Sequence, residues 1–291
     1  MTKFLSMSFV SILTVVVFFF EDAKETIKLM NDKTPPVYLQ IQGGLGNQMF
    51  EYAYGYTYAK KHNKKLVLAS RHDLHKFFNI PEDYQDAKKY LNIIEFFKGA
   101  YDEKLSKETP DEVMDKGEKL FLKGYFQNEE FFAFEKDEIL KLFTYQGKLS
   151  QENQKLVDEM ALKNSVSVHF RLGDYLVDVK DDILSNHYYL LAMSYMKQKF
   201  PDAYFYIFSD DTDFVKKNIK IPFEHTIVEN NKNDDSFFDM YLMSQCKHNI
   251  IANSTFSWWG GTKQKYRQKN NYPKCLAFKK RRLQNHQKCC A

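Results

Sequence analysis

The octapeptide Val168-His169-Phe170-Arg171-Leu172-Gly173-Asp174-Tyr175 is the strongest single limit on how this chain folds. A β-rich run, Ser165 to Phe170, delivers an imidazole and a guanidinium to a strand end, and a glycine and a carboxylate then turn the chain. An α/β sheet binds its ligands at the carboxyl ends of its strands, so such a strand aims polar groups at a ligand. Arginine suits a diphosphate. Its planar fork donates two parallel charge-assisted hydrogen bonds, and it stays charged at any relevant pH. The competing reading is an ion pair between Arg171 and Asp174 that only finishes the strand.

The rest of the chain alternates in the same way. Val37 to Gln42 reads as a strand, Gly43 to Gly46 as a tight loop, Asn47 to His62 as a helix and Lys65 to Ala69 as the next strand. This is the order of a doubly wound domain. From Leu74 to Leu149 the pattern is less regular, with helical stretches around Lys88 to Phe97 and Glu129 to Phe143 and a strand over Leu120 to Tyr125. Order returns after Ser150: helix Gln151 to Lys163, strand Ser165 to Phe170, helix Tyr188 to Lys199, strand Tyr204 to Phe208, and a short strand His225 to Val228. A helix Ser236 to Gln245, a strand Asn249 to Ala252 and a helix opening near Ser257 follow. A chain of 291 residues has room for two such α/β halves with a cleft between them, divided near residues 150 to 160.

Three further segments carry candidate chemistry. Gly43-Gly44-Leu45-Gly46-Asn47-Gln48 lets backbone approach a ligand and opens a helix whose amides favour an anion. Met49 stands where a dinucleotide fingerprint needs its third glycine, and no Walker lysine follows Gly46. Ser209-Asp210-Asp211-Thr212-Asp213 closes a strand. Its carboxylates suit either a divalent ion or, more simply, a helix N-cap made by Asp210 or Asp211. Asn253-Ser254-Thr255-Phe256-Ser257-Trp258-Trp259 lies at a strand-to-helix junction, where hydroxyls and unpaired amides serve a phosphate or merely cap the helix. The two tryptophans read as packing residues, and the Asn253 sequon faces inward.

Composition excludes some classes. The 42 basic and 38 acidic residues are interspersed, for a net charge of +4, so nucleic-acid binding is not expected. Only Lys279-Lys280-Arg281-Arg282 forms a basic run, read as a solvated tail. The four cysteines have neither zinc-like spacing nor a Cys-x-x-Cys pair, and Cys246 reads as a buried small hydrophobe. The 19 Tyr and 26 Phe mostly follow core periodicities, so they are not read as a sugar-stacking surface. Phe4 to Phe20 is uncharged and near the lower length limit for a spanning helix. Residues 1–20 are therefore expected to be a signal anchor; a cleaved signal peptide would need a small-x-small site that is not seen after Phe20. Residues 21–36 then read as a stem.

Taken together, Gly43 to Ala53, Gly124-Tyr125-Phe126-Gln127, His169 to Tyr175, Phe208 to Asp211 and Asn253 to Trp259 resemble the galactoside α-1,2-fucosyltransferases of glycosyltransferase family 11. They resemble the α-1,6- and protein O-fucosyltransferases more distantly. The resemblance implies an α/β, GT-B-like enzyme: two Rossmann-type domains facing a central cleft, preceded by the N-terminal hydrophobic anchor. The acceptor-side domain would be 37–155 and the GDP-sugar domain 156–291. It implies inverting transfer of L-fucose from GDP-β-L-fucose to the 2-hydroxyl of a terminal β-galactoside, with no metal and no other cofactor required. By position, Arg171 would clamp the β-phosphate, His169 would lie against the nucleotide, and Asp239 would accept hydrogen bonds from guanine. Ser254, Thr255, Phe256 and Ser257 would complete the diphosphate site, and Gly44, Gly46, Asn47 and Gln48 would face fucose and acceptor from the other domain. Asp174 and Asp178 are the candidate general bases, with Asp174 disfavoured if Arg171 depresses its pKa. Leu172 departs from the family, where a second arginine is common. Successive strand residues face opposite ways, so the clamp survives the change. The partners implied are GDP-fucose, a galactose-terminated glycan and a membrane, with a type II Golgi setting in a eukaryote or a bacterial or viral membrane facing the cytosol. Another GDP-sugar or fucosyl linkage, a nicotinamide-dependent oxidoreductase and a non-catalytic sugar- or nucleotide-binding protein stay open as alternatives.

Overall fold

The computed structural model describes residues 36–69, 72–81, 100–103, 109–115, 120–172, 184–262 and 275–276. The chain divides into two compact units. One takes Met1–Gln42, Glu51–His72 and Pro81–Tyr125; the other takes Gly43–Phe50, Asp73–Ile80 and Phe126–Ala291. The glycine loop is thus grouped with the second unit, although the sequence reading assigned it to the first. Among the described residues no helix is long and apolar enough to cross a membrane. The expected anchor at residues 1–20, the stem to residue 35 and the helix expected around Lys88 to Phe97 lie outside the described residues.

The first unit carries a parallel sheet of β1 (Val37–Leu39), β2 (Leu66–Leu68), β3 (Ala100–Asp102) and β4 (Phe121–Lys123), in the order β2-β1-β4-β3. Helix α1 (Leu45–Lys61) connects β1 to β2. Its Gly55 lies so close to Leu39 that a Cβ would come within 2.7 Å of that side chain, which is how helix and strand pack tightly. Two short helices, α2 (Leu74–Phe77) and α3 (Pro110–Asp115), and strand β3 were not expected from the sequence. At three to six residues they are too short for a hydrophobic period to show.

The second unit is built on β5 (Asn164–Phe170), β6 (Ala203–Ser209), β7 (His225–Ile227), β8 (His248–Ile250) and β9 (Cys275–Leu276), all parallel, in the order β7-β6-β5-β8-β9. Helices α5 (Gln151–Leu162), α6 (Asn186–Lys199), α7 (Thr212–Asn218), α8 (Phe237–Gln245) and α9 (Thr255–Thr262) connect and cover it. Ser150, Ser185 and Asp211 cap α5, α6 and α7, each side chain accepting a backbone N–H of the first turn. Both faces of the sheet are covered, which is why β5 and β6 read as nearly unbroken buried runs. On one face Val166, Val168, Phe170, Phe205 and Ile207 pack with Tyr189 and Met193 of α6 and Val215 of α7. On the other, Tyr206 and Phe208 pack with Met160 of α5 and Leu242 and Met243 of α8.

The helix expected over Glu129 to Phe143 is two pieces: a 3-10 turn, Glu129–Glu135, then α4, Lys136–Leu142. Phe132 leaves helical geometry at φ −130° and ψ 20°, which lets its ring bury in stacked contact with Trp259 at 5.8 Å while Phe134 is fully exposed. Tertiary packing has overridden local periodicity there.

Within the first unit Glu51 of α1 is wholly buried. Its Oε2 accepts the Gln42 N–H at 2.8 Å, and burial, with Glu103 adding to it, raises its pKa to about 8. A carboxyl whose folded pKa lies above its unfolded value stabilises fully only below the unfolded value, and that contribution is lost as pH rises towards the folded pKa. Glu51→Gln keeps an acceptor for Gln42 and removes the titration. The variant should therefore gain stability over wild type between pH 5 and pH 8.5, by on the order of 3 kcal/mol, in denaturant titrations at the two pH values. An equal difference at both would refute the buried-acid assignment.

Candidate functional site

The strand order reverses between β5 and β8, so the carboxyl ends of these two strands form the switch point at which an open α/β sheet takes its ligand. On β5 the residues facing α5 and α8 are Ser165, Ser167 and His169, a buried polar row. Its lower part is satisfied: Ser165 Oγ donates to Met160 O at 2.9 Å and accepts the Lys247 N–H at 3.1 Å, and Ser167 Oγ accepts Asn249 Nδ2 at 2.7 Å. The top is not. His169 is 4% exposed, and its Nδ1 has no hydrogen-bond partner. Burial lowers its pKa to about 4, with Asp210 opposing and Arg171 assisting, so the ring is neutral at pH 7. A buried polar atom left unpaired at a ligand-binding strand end is a place for a ligand's own polar group.

The ion pair between Arg171 and Asp174 falls outside the described residues, because Asp174 does. Arg171 is held by the neighbouring strand: its Nη1 donates to Asp210 Oδ2 at 2.5 Å, while Asp210 Oδ1 accepts the Leu172 N–H at 2.8 Å. Register explains the meeting, because Phe170 lies opposite Ser209 across the β5–β6 ladder. The capping role belongs to Asp211, whose Oδ1 accepts the Phe214 N–H at 2.8 Å. Asp210 is thus engaged with a cation rather than offered to a metal ion. Leu172 is buried in the α6 side of the core, the face opposite His169.

After β8 the chain enters α9 through Asn253 and Ser254. Ser257 is fully buried, and its Oγ accepts the Ala252 N–H at 2.9 Å. Its hydroxyl thereby fastens strand to helix. Phe256 lies 5.6 Å from the His169 ring, which brings the start of α9 beside the orphan imidazole. The glycine loop closes on this same helix end. A Cβ on Gly46 would sit 2.4 Å from Phe256 N and 2.6 Å from the Thr255 carbonyl carbon. Trp259 Nε1 donates to Gly46 O at 3.1 Å, and Thr255 Oγ1 donates to Asn47 Oδ1 at 2.8 Å. Gln48, expected to face a ligand, is buried with both ends paired: Nε2 to Gly43 O at 2.9 Å and Oε1 from the Asp73 N–H at 2.8 Å. It shapes the loop. Gly43 takes φ 73°, which a side chain would resist, whereas Gly44 is exposed with open space around it.

Asp239, at the start of α8, ends a chain of amides. Asn230 Nδ2 donates to Asn153 Oδ1 at 2.6 Å, Asn153 Nδ2 to Asn231 Oδ1 at 2.9 Å, and Asn231 Nδ2 to Asp239 Oδ1 at 2.8 Å. Burial raises the Asp239 pKa to about 7 against the lowering effect of Asn231.

The family model of glycosyl transferase family 11 matches residues 7–264. The chain belongs to glycosyltransferase family 11. An α-1,2-colitosyltransferase of Escherichia coli is 33% identical over 262 residues, covering 79% of this chain and 88% of that relative. A galactoside 2-α-L-fucosyltransferase of Mus musculus is 26% identical over 235 residues, covering 76% of this chain and 62% of that relative. A point mutant of Arabidopsis thaliana FUT1 in complex with GDP shares the fold, with a TM-score of 0.50 at 14% identity over 84% of this chain and 73% of that one.

In this family 11 glycosyltransferase the structure brings Phe256 beside His169 and sets Gly46 and Asn47 against Thr255 and Phe256. Asp178, like Asp174, lies outside the described residues. Among the described residues no group of three or more His, Cys, Asp or Glu is placed to hold a metal ion. Asp210 was read from the sequence as a metal-ion or N-cap candidate and not as the partner of Arg171, and the Asn153–Asn231 bridge was not recognised, because neither partnership carries a signal until the strands are ordered. The loop's fit to α9 yields a direct check. Gly46→Ala should destabilise the protein by about 2 kcal/mol or more, since backbone atoms cannot yield, whereas Gly44→Ala should stay within about 0.5 kcal/mol in denaturant unfolding. Equal effects would contradict the close approach.

Proposed function

We propose that this enzyme transfers L-fucose from GDP-β-L-fucose, with inversion at the anomeric carbon, to the 2-hydroxyl of a terminal β-galactoside. The observation that carries the reading is the group at the β5–β8 switch point: a guanidinium oriented by Asp210, a buried imidazole with an unpartnered nitrogen, and the N-terminus of α9. In the transfer, the acceptor hydroxyl attacks the anomeric carbon while the bond to the diphosphate breaks, and negative charge grows on the leaving GDP. Donors already fixed in place lower that barrier without reorganising. Arg171 supplies the cation, α9 supplies backbone amides, and neutral His169 supplies polarity without adding charge. The acceptor's proton goes to a carboxylate, for which Asp174 and Asp178 remain the proposed bases. The family membership and a galactoside 2-α-L-fucosyltransferase among the relatives support the donor and linkage. The apolar run Phe4 to Phe20 supports attachment to a membrane. A colitosyl donor is the second reading, favoured by the 33% identical α-1,2-colitosyltransferase.

The test is release of GDP from GDP-fucose with and without lactose, in the presence of a chelator. Lactose-dependent release is expected, and Arg171→Ala should lower its rate about a hundredfold or more while the protein stays folded. Near-normal turnover by that variant would remove Arg171 from the mechanism.

Asp239 gives an independent measurement. To accept the guanine N1–H and 2-amino hydrogens it must be ionised, and with a pKa of about 7 it holds a proton in half of the free protein at neutral pH. Binding then expels that proton, so GDP should bind about tenfold more tightly at pH 8 than at pH 6 by calorimetry, and Asp239→Asn should abolish the dependence. A flat wild-type profile would remove Asp239 from guanine recognition.

A further inference from the structure

We propose that Gln127, paired with Asn47, reads two neighbouring hydroxyls of the donor sugar and so distinguishes fucose from its 3-deoxy counterpart, colitose; this rests on the GDP-sugar reading above. Asn47 Oδ1 accepts two hydrogen bonds, from Thr255 Oγ1 at 2.8 Å and from Gln127 Nε2 at 3.0 Å. The other end of each amide, Asn47 Nδ2 and Gln127 Oε1, has no partner among the described residues, and both residues are half-buried. The two linked side chains therefore leave one donor and one acceptor for a ligand. Reversing both amides preserves the bond between them and still leaves one donor and one acceptor.

The position of this pair ties it to the sugar. Thr255 opens α9 next to Phe256, which lies 5.6 Å from the His169 ring, whose buried Nδ1 is unpartnered. A diphosphate seated at that helix end carries its sugar on the terminal phosphate, one bond away, so the sugar falls beside the first side chains that Thr255 touches. Gln127 is also held in place from behind. Phe126 is buried at φ 46°, in the left-handed region that a bulky side chain rarely adopts, and the Asn128 N–H donates to its carbonyl at 2.8 Å.

The chemistry then selects the ligand. A sugar hydroxyl both donates and accepts, so a donor beside an acceptor matches hydroxyls on adjacent carbons. Bound through C1, L-fucose has hydroxyls at C2, C3 and C4. Colitose keeps those at C2 and C4 and has no two on neighbouring carbons. A site built to bond a hydroxyl rejects an analogue without it, because the protein's polar groups are left unpaired. The sugar named in the colitosyltransferase relative thus differs from fucose by the group this amide pair would bind.

The experiment compares kcat/KM for GDP-fucose and GDP-colitose in the full chain, in Gln127→Ala and in Gln127→Met, with GDP affinity measured alongside. Methionine fills the same length without an amide, so at least one variant retains the packing. The wild type should prefer GDP-fucose. Both variants should lose about tenfold or more with GDP-fucose, change less than about threefold with GDP-colitose, and bind GDP as the wild type does. A fucose-to-colitose ratio unchanged in the variants, or a wild type that prefers GDP-colitose, overturns the assignment. A wild type that transfers from neither donor overturns the GDP-sugar reading itself, a result distinct from an unchanged ratio.

Discussion

The close approach of Gly46 to the first turn of α9 is the constraint on which the site depends. No side chain fits there, because the atoms in the way are the Phe256 nitrogen and the Thr255 carbonyl carbon. With hydrogen in that place, the loop carbonyl reaches the Trp259 indole and Asn47 reaches Thr255. The aromatic packing follows from the same contact. Phe50, one turn further along α1, lies 4.7 Å from Trp258 and 5.1 Å from Trp259, and Phe132 and Phe143 close around Trp259. The first turn of α9 is thereby packed against the loop backbone, and its tryptophans against aromatic rings.

The electrostatics of the switch point are arranged with few charges. Arg171 and Asp210 neutralise one another, His169 is kept uncharged by burial, and the β5 row beneath it is made of serine hydroxyls that bond to backbone and to Asn249. An anion arriving here meets oriented dipoles and one cation whose position is already fixed. Asp239 stands apart from that logic. Its carboxyl, held by Asn231 and indirectly by Asn153, is raised by burial to a pKa of about 7.

Much of this could be read along the chain. The β-loop-α-β order, the strand end at Phe170, the junction at Asn253 to Ser257 and the packing role of both tryptophans follow from hydrophobic period, turn residues and capping chemistry, all of which are local. The errors were local as well. Glu129 to Phe143 read as one helix because nothing near Phe132 shows that its ring will be drawn onto Trp259. Gln48 and Ser257 carry a second role that the sequence did not show, since each bonds to the backbone that it shapes.

By itself, the sequence determined the class of fold, the order of its longer elements, the family and most of the polar residues from which a site can be made, since each of these is written in a few consecutive residues. Only the tertiary structure decided which of those residues meet. Arg171 finds Asp210, 39 positions away, because the parallel β5–β6 register sets Phe170 against Ser209. Asn47 finds Thr255, 208 positions away, because the glycine loop seats on α9. Parallel strands and their crossovers join distant segments, and which segments become neighbours depends on how whole faces of helix and sheet are buried, a property that no short stretch of chain contains.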